Sequence, residues 1–186
     1  MRVGLTISVM HSTIDLPNLE ATTALGRQFA ERLRPNDIVA LIGPLGAGKT
    51  HLVRAIAEGL GIADSRVVSS PTFVLIQEYP ARLTVYHFDA YRLPNPAAFA
   101  DLGPYEYFEG DGVCLVEWAD KVTSCLPAEY VRITIAITGE TSRRFLIEGF
   151  GGRYSAIIRA LGQTPAPQAT PPTDPGQGPE GPAPSA

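Results

Sequence analysis

Apolar and polar positions alternate along the chain with several periods, and each period predicts an element. Thr22, Leu25, Phe29 and Leu33 fall three or four residues apart, the spacing of an amphipathic helix. Asn18, after Leu16-Pro17, supplies its N-cap. Residues 38–42 (IVALI) are unbroken apolar, as in a strand buried on both faces. A second helix follows with Leu52, Val53, Ile56 and Leu60 inward, and Gly61 is its C′ residue. Residues 5–9, 73–79 and 83–88 read as strands, the last two joined by a hairpin turn at Pro80-Ala81-Arg82. Residues 89–112, interrupted by Pro94, Pro96 and Pro104, read as an irregular excursion with one short helix near 97–102. Residues 113–116 form a short strand ending at Glu117-Trp118. Val131, Ile133, Ile135 and Ile137 alternate with Arg132, Thr134, Ala136 and Thr138, a half-exposed strand of antiparallel type, with 144–149 as its partner. A last helix covers 154–161.

Composition changes this picture at one end. Of 186 residues, 18 are Gly and 17 are Pro. Residues 163–186 hold eight of those prolines and three of the glycines, and no Val, Ile, Leu, Met or aromatic residue. Such a segment cannot bury enough apolar surface to offset its chain entropy. The expected organisation is a folded domain over 1–162 and a disordered Pro/Gly-rich tail over 163–186. A net charge of −4 excludes a generally basic nucleic-acid coat, and neither DNA nor a membrane is expected as a partner. No run of 18 apolar residues occurs. The short apolar stretch after Met1-Arg2, with no small-x-small site behind it, does not make a secretory signal. Cys114 and Cys125 lack metal-ligand spacing and read as reduced thiols, one of them in the core; the expected location is the cytoplasm.

The chemistry concentrates between the buried strand and the second helix. Gly43-Pro44-Leu45-Gly46-Ala47-Gly48-Lys49-Thr50 matches G-x-x-x-x-G-K-[ST], in the strand–loop–helix context that a phosphate cradle requires. Glycines let backbone N–H groups converge on phosphate oxygens, and the helix N-terminus adds its positive end. Lys49 reaches the β- and γ-phosphates, and the Thr50 hydroxyl joins a Mg²⁺ shell. The fold class is therefore α/β, with a P-loop NTPase-type sheet. It is mixed, with parallel central strands, further antiparallel strands and helices on both faces.

Two acids end strands, Asp89 and Glu117, where side chains face the ligand crevice of such a sheet. Glu117 follows an apolar strand, as the Mg²⁺-binding acid of this motif does; otherwise it is an exposed strand-end carboxylate. Asp89 is its companion or the start of a turn. Thr72, in Ser69-Ser70-Pro71-Thr72, either offers its hydroxyl to a γ-phosphate, as switch threonines do, or belongs to a simple connector. His87 reads as a half-buried strand residue, and Trp118 as either core or site. No N-K-x-D signature accompanies the loop, which sets GTPases aside, and the length excludes machines with a helical lid domain. A small-molecule kinase stays open, although Arg143-Arg144 falls on a strand and not on a lid. So does a nucleotide-gated binding module without turnover.

Beyond the loop, Ser70-Pro71-Thr72-Phe73, Tyr86-His87-Phe88-Asp89-Ala90-Tyr91-Arg92-Leu93 and Leu115-Val116-Glu117-Trp118 occur in the order and spacing of the TsaE (YjeE) family, which the chain resembles over about 16–161. The resemblance implies an ATPase of bacterial tRNA threonylcarbamoyladenosine biosynthesis. It would use ATP with Mg²⁺, hydrolyse slowly and act with the TsaD and TsaB proteins, meeting tRNA, if at all, through that complex. Carried over by motif, Gly43, Pro44, Leu45, Gly46, Ala47, Gly48, Lys49 and Thr50 would cradle the nucleotide. Thr50 and Glu117 would hold Mg²⁺, Asp89 would contact the phosphate end or its water, and Thr72 would be switch-like. Lys49, Asp89 and Glu117 are the expected catalytic set. The resemblance further implies an N-terminal segment near the adenine, by position 19–22. His51 departs from the family pattern, which has a second Thr or Ser there, and so does Pro44, where Asp, Glu or Asn is common.

Overall fold

The second strand, β2 (Ile38–Ile42), has parallel neighbours on both sides, which is why its sequence is apolar at every position. In a computed structural model, which describes residues 9–162, seven strands form one sheet in the order β1-β7-β6-β2-β5-β4-β3. The other strands are β1 (Val9–Leu16), β3 (Ile76–Tyr79), β4 (Val85–Asp89), β5 (Val113–Glu117), β6 (Tyr130–Ile137) and β7 (Arg143–Phe150). β4, β5, β2 and β6 run parallel; β7 pairs antiparallel with both β6 and β1, and β3 antiparallel with β4. This is the mixed sheet expected from the sequence.

Helices cover both faces. On one face α1 (Leu19–Ala30), α2 (Lys49–Gly59) and α5 (Gly152–Gly162) bury Leu25, Phe29, Leu52, Ile56 and Ile158 against Leu41, Leu115 and Ile133. On the other, α3 (Pro96–Ala100), α4 (Pro104–Phe108) and the 3₁₀ segment Ala119–Cys125 bury Phe99, Phe108 and Val122 against Ala40, Phe88 and Val116. Strand parity sets the division: residues two apart share a face, so Val85, His87 and Asp89 point with Leu115 and Glu117 toward α2. Asn18 caps α1 by accepting from the Ala21 N–H at 2.8 Å. α1 and α2 cross closely because Gly26 meets Ala55: a Cβ on Gly26 would lie 2.5 Å from that of Ala55.

Several boundaries differ from the expectation. The first strand is Val9–Leu16, ending two residues before the Asn18 cap; positions 5–8 lie outside the described residues, as does the expected tail at 163–186. β3 begins only at Ile76, because Phe73 and Val74 are exposed in a turn. The hairpin after it spans five residues, 80–84. The excursion holds two short helices, not one. Pro96 and Pro104 do not interrupt structure here; each is the first residue of a helix, where a missing N–H costs nothing. Cys114 and Cys125 are both buried and free. Among the described residues no helix is long and apolar enough to cross a membrane.

Candidate functional site

The loop between β2 and α2 takes its shape from its glycines. Gly43, Gly46 and Gly48 have φ of 154°, 77° and 102°, values at which a side chain is strained. Gly48 stands at the N-cap of α2 with no side-chain cap, so the first N–H groups of the helix are left for a ligand. Lys49 folds back along the loop, its Nζ donating to the carbonyls of Gly43 at 2.7 Å and Pro44 at 3.0 Å, 3.8 Å above the Trp118 ring centroid. Burial holds its ammonium below the ordinary lysine pKa, while the carboxylates of Glu117, Asp89 and Asp120 pull the other way.

Glu117 and Asp89 are direct partners across the parallel β5–β4 ladder, and both are buried. The Thr50 hydroxyl donates to Glu117 Oε1 at 2.7 Å, joining the first turn of α2 to the end of β5. His87 Nε2 lies 2.9 Å from the same oxygen. Trp118 follows at φ 57°, a left-handed conformation costly for a bulky side chain; it turns the indole over Lys49 and against Tyr91, 4.9 Å between ring centroids.

Asp89 gathers the loop before β3. Thr72 Oγ1 donates to Asp89 Oδ2 at 2.7 Å, Ser70 Oγ donates to the same oxygen, and the Tyr91 N–H donates to Oδ1 at 2.8 Å. Behind this loop, the Arg54 guanidinium grips the Val68 carbonyl through Nη2 at 2.8 Å.

Two cavities meet at the loop. One, of about 420 Å³, is lined by Leu45, Gly46, Gly48, Lys49, Thr50, His51, Ser70, Thr72, Asp89, Tyr91, Glu117 and Trp118. The other, of about 510 Å³, lies between Asn18, Leu19, Glu20 and Thr22 on one side and Glu140, Thr141 and Arg143 on the other. They share Gly46, Gly48 and His51. His51 Nε2 is 2.9 Å from Thr23 Oγ1, so the residue that departs from the family pattern ties α2 to α1; burial lowers its pKa.

Most of the expected site residues converge on the first cavity. Gly43, Pro44 and Ala47 do not line it. The first two present carbonyls to Lys49, and Ala47, buried, lines the second cavity. Leu19, Glu20 and Thr22 of the expected 19–22 segment line that second cavity too; Ala21 packs into the core. Two polar residues that touch the site's elements carry no role in the sequence reading. His87 is fully buried and not half-buried; its signal was the two-residue spacing from Asp89, which puts both on one face. Arg143, whose Nε donates to the Ala47 carbonyl at 3.0 Å, comes from the far end of the chain, and no local pattern marks it.

The donor set bears on which cation would fit. The Thr50 hydroxyl and the Glu117 and Asp89 carboxylates are hard oxygens at the mouth of one anion cradle. Among the described residues no group of three or more His, Cys, Asp or Glu is placed to hold a metal. Mg²⁺ suits such a site, since it takes one or two protein oxygens and completes its shell with phosphate and water.

A mixed sheet whose parallel central strand feeds a glycine loop and a helix, with the loop threonine bonded to the acid that ends the neighbouring strand, defines a P-loop NTPase-type α/β protein. A family model described as threonylcarbamoyl adenosine biosynthesis protein TsaE matches residues 16–145. A Bacillus subtilis (strain 168) protein named tRNA threonylcarbamoyladenosine biosynthesis protein TsaE is 43% identical over 145 residues, covering 77% of this chain and 89% of that protein. A Treponema pallidum protein of the same name is 39% identical over 126 residues, covering 68% and 92%. The crystal structure of Bacillus subtilis YdiB superposes with a TM-score of 0.72 at 37% identity, over 83% of this chain and 95% of that one. The chain belongs to the TsaE family.

Proposed function

We propose that this protein is an ATP-binding, slowly hydrolysing P-loop ATPase. It serves formation of the threonylcarbamoyl group on adenosine 37 of tRNAs that read codons beginning with A, and it works with the TsaD and TsaB proteins. The observation that carries the ATPase reading is the Thr50 Oγ1–Glu117 Oε1 contact of 2.7 Å. It brings the loop hydroxyl and the strand-end acid to one point beside Lys49, as binding of a metal–nucleotide pair requires.

The roles follow from these positions. The loop N–H groups and the start of α2 would hold the phosphates, with the Lys49 ammonium turned from its carbonyl partners to the β- and γ-oxygens. Thr50 and Glu117 would hold Mg²⁺, which supplies charge neutralisation at those oxygens when bound. Asp89, fixed by Thr72 and the Tyr91 N–H, would orient water for in-line attack on the γ-phosphorus. Thr72 would report the γ-phosphate to the exposed loop around it. The second cavity, reached past His51 and Gly46, suits the adenosine end. The arginine that touches the loop, Arg143, is spent on backbone carbonyls, so turnover by the chain alone is expected to be slow and completed by partners.

The test measures phosphate release from ATP by the chain alone, then with TsaB, TsaD and tRNA. Release stimulated by the partners supports the proposal. Release indifferent to them contradicts it. Stoichiometric transfer of the γ-phosphate to a small acceptor would mark a kinase, and ATP-dependent partner binding without release a nucleotide-gated module.

A further inference from the structure

His87 is an expensive residue where it stands. Its side chain is wholly buried in β4, and its Nδ1 has no hydrogen-bond partner among the described residues. A buried polar atom left unmet costs stability, whereas Val85, two residues earlier on the same face, is an ordinary core side chain. The offsetting contact is Nε2 at 2.9 Å from Glu117 Oε1. An ionised carboxylate only accepts, so Nε2 carries the proton and donates. In the neutral ring Nδ1 then holds a lone pair. The opposite tautomer would bury an unmet N–H and set a lone pair against the carboxylate.

Glu117 Oε1 therefore has two donors, Thr50 Oγ1 and His87 Nε2, and Oε2 has none among the described residues. The Thr50 hydroxyl reaches Glu117 from a different element, the first turn of α2, and has its own proposed place in the cation's shell. His87 sits on the strand next to β5, behind the carboxylate, and is enclosed. We propose that His87 is a positioning residue. By holding Oε1 from behind, it fixes the rotation of the Glu117 carboxylate and presents it to the divalent cation that accompanies the nucleotide. The inference rests on the nucleotide-site reading above. It predicts that loss of the imidazole donor weakens cation binding and leaves the phosphate cradle intact.

The test titrates Mn²⁺, as a paramagnetic stand-in for Mg²⁺, into the ADP-loaded protein and follows free Mn²⁺ by electron paramagnetic resonance. His87→Leu is expected to weaken Mn²⁺ binding roughly 10- to 100-fold, the usual effect of removing a group that orients a metal ligand, with metal-free ADP affinity within about twofold of wild type. His87→Gln, which keeps a side-chain N–H, is expected to recover part of the loss. Unchanged Mn²⁺ affinity in folded His87→Leu overturns the inference, and so does an equal loss of ADP affinity without metal. Should both variants unfold, the wild-type protein decides. It has three histidines, and long-range ¹H–¹⁵N spectra must show His87 as the Nε2–H tautomer, with its resonances shifting when Mg²⁺ joins ADP. An Nδ1–H tautomer, or resonances indifferent to Mg²⁺, overturns it. If wild-type protein binds neither ADP nor Mn²⁺, the nucleotide-site reading itself has failed, which is a different result.

Discussion

Arg143 Nε donates to the carbonyl of Ala47 at 3.0 Å, which ties the first residue of β7 to the middle of the phosphate loop 96 residues away in the chain. The same guanidinium donates to the carbonyls of Gly46 at 3.2 Å and Ser142 at 2.8 Å. A fork of fixed N–H donors suits this task, since several carbonyls are satisfied by one rigid plane. The glycines give the loop between β2 and α2 its shape, and the tie holds that shape from outside. Arg143→Ala is expected to cost about 1–2 kcal/mol in urea unfolding and to weaken ADP binding about tenfold, near 1.4 kcal/mol. Arg143→Lys should recover little of either, because an ammonium cannot reproduce the fork.

The α1–α2 crossing gives a prediction in which two effects oppose. Gly26→Ala in mid-helix would ordinarily stabilise by up to about 1 kcal/mol. Here the new Cβ would sit 2.5 Å from the Cβ of Ala55 and 3.2 Å from backbone atoms of Ala55 and Ile56. Overpacking at such a contact costs about 1–3 kcal/mol, and it wins. Gly26→Ala should lower the urea midpoint, and adding Ala55→Gly should restore part of it.

How much of this was legible in the sequence differs by element. Residues 38–42 and 52–60 were, because burial on both faces and a helical apolar stripe leave periodic marks. The meeting of Lys49, Thr50 and Glu117 at one cavity was, because the loop motif sets residue types in a fixed order and an apolar strand ends at the acid. Pro96 and Pro104 misled, since proline ends one helix and starts another with equal ease. Phe73 and Val74 also misled. They are apolar and strand-like, yet exposed, because the chain there must turn to bring Thr72 to Asp89. Arg143 reaches the loop carbonyls and His87 reaches Glu117 on the neighbouring strand; both partners are far away in the sequence, and no spacing along the chain encodes them. The family resemblance added the roles that residue types alone left open.

Cys114 makes stability pH-dependent on the alkaline side. Burial pushes its thiol from 9.0 up to about 12. The folded protein keeps the proton while the unfolded chain loses it, so this contribution is whole below pH 9 and lost as pH rises toward 12. By pH 11 the loss reaches about 2–3 kcal/mol. Burial raises the Tyr154 hydroxyl as well, and it acts in the same direction above pH 10. Urea midpoints under reducing conditions should fall from pH 8 to 10.5, and less steeply in Cys114→Ala.

Thr72 and Asp89 should separate binding from turnover. Thr72→Ala removes the 2.7 Å hydrogen bond to Asp89 but no loop N–H, so ADP affinity should stay within about twofold. Phosphate release should fall by about tenfold or more, the pattern of an interaction used in the transition state. Asp89→Asn should lower release further. Equal losses of ADP affinity and turnover in Thr72→Ala would place Thr72 in the ground-state site instead.

In the proposed function the loop 43–50 is an ATP site whose charge partner is Lys49. Calorimetric titration of Mg²⁺·ATP into wild-type protein and Lys49→Ala tests it most directly. Saturable one-to-one binding is expected for the wild type, and binding weakened at least a hundredfold or lost in a variant whose circular dichroism is unchanged. Equal ATP affinity in the two proteins would contradict it.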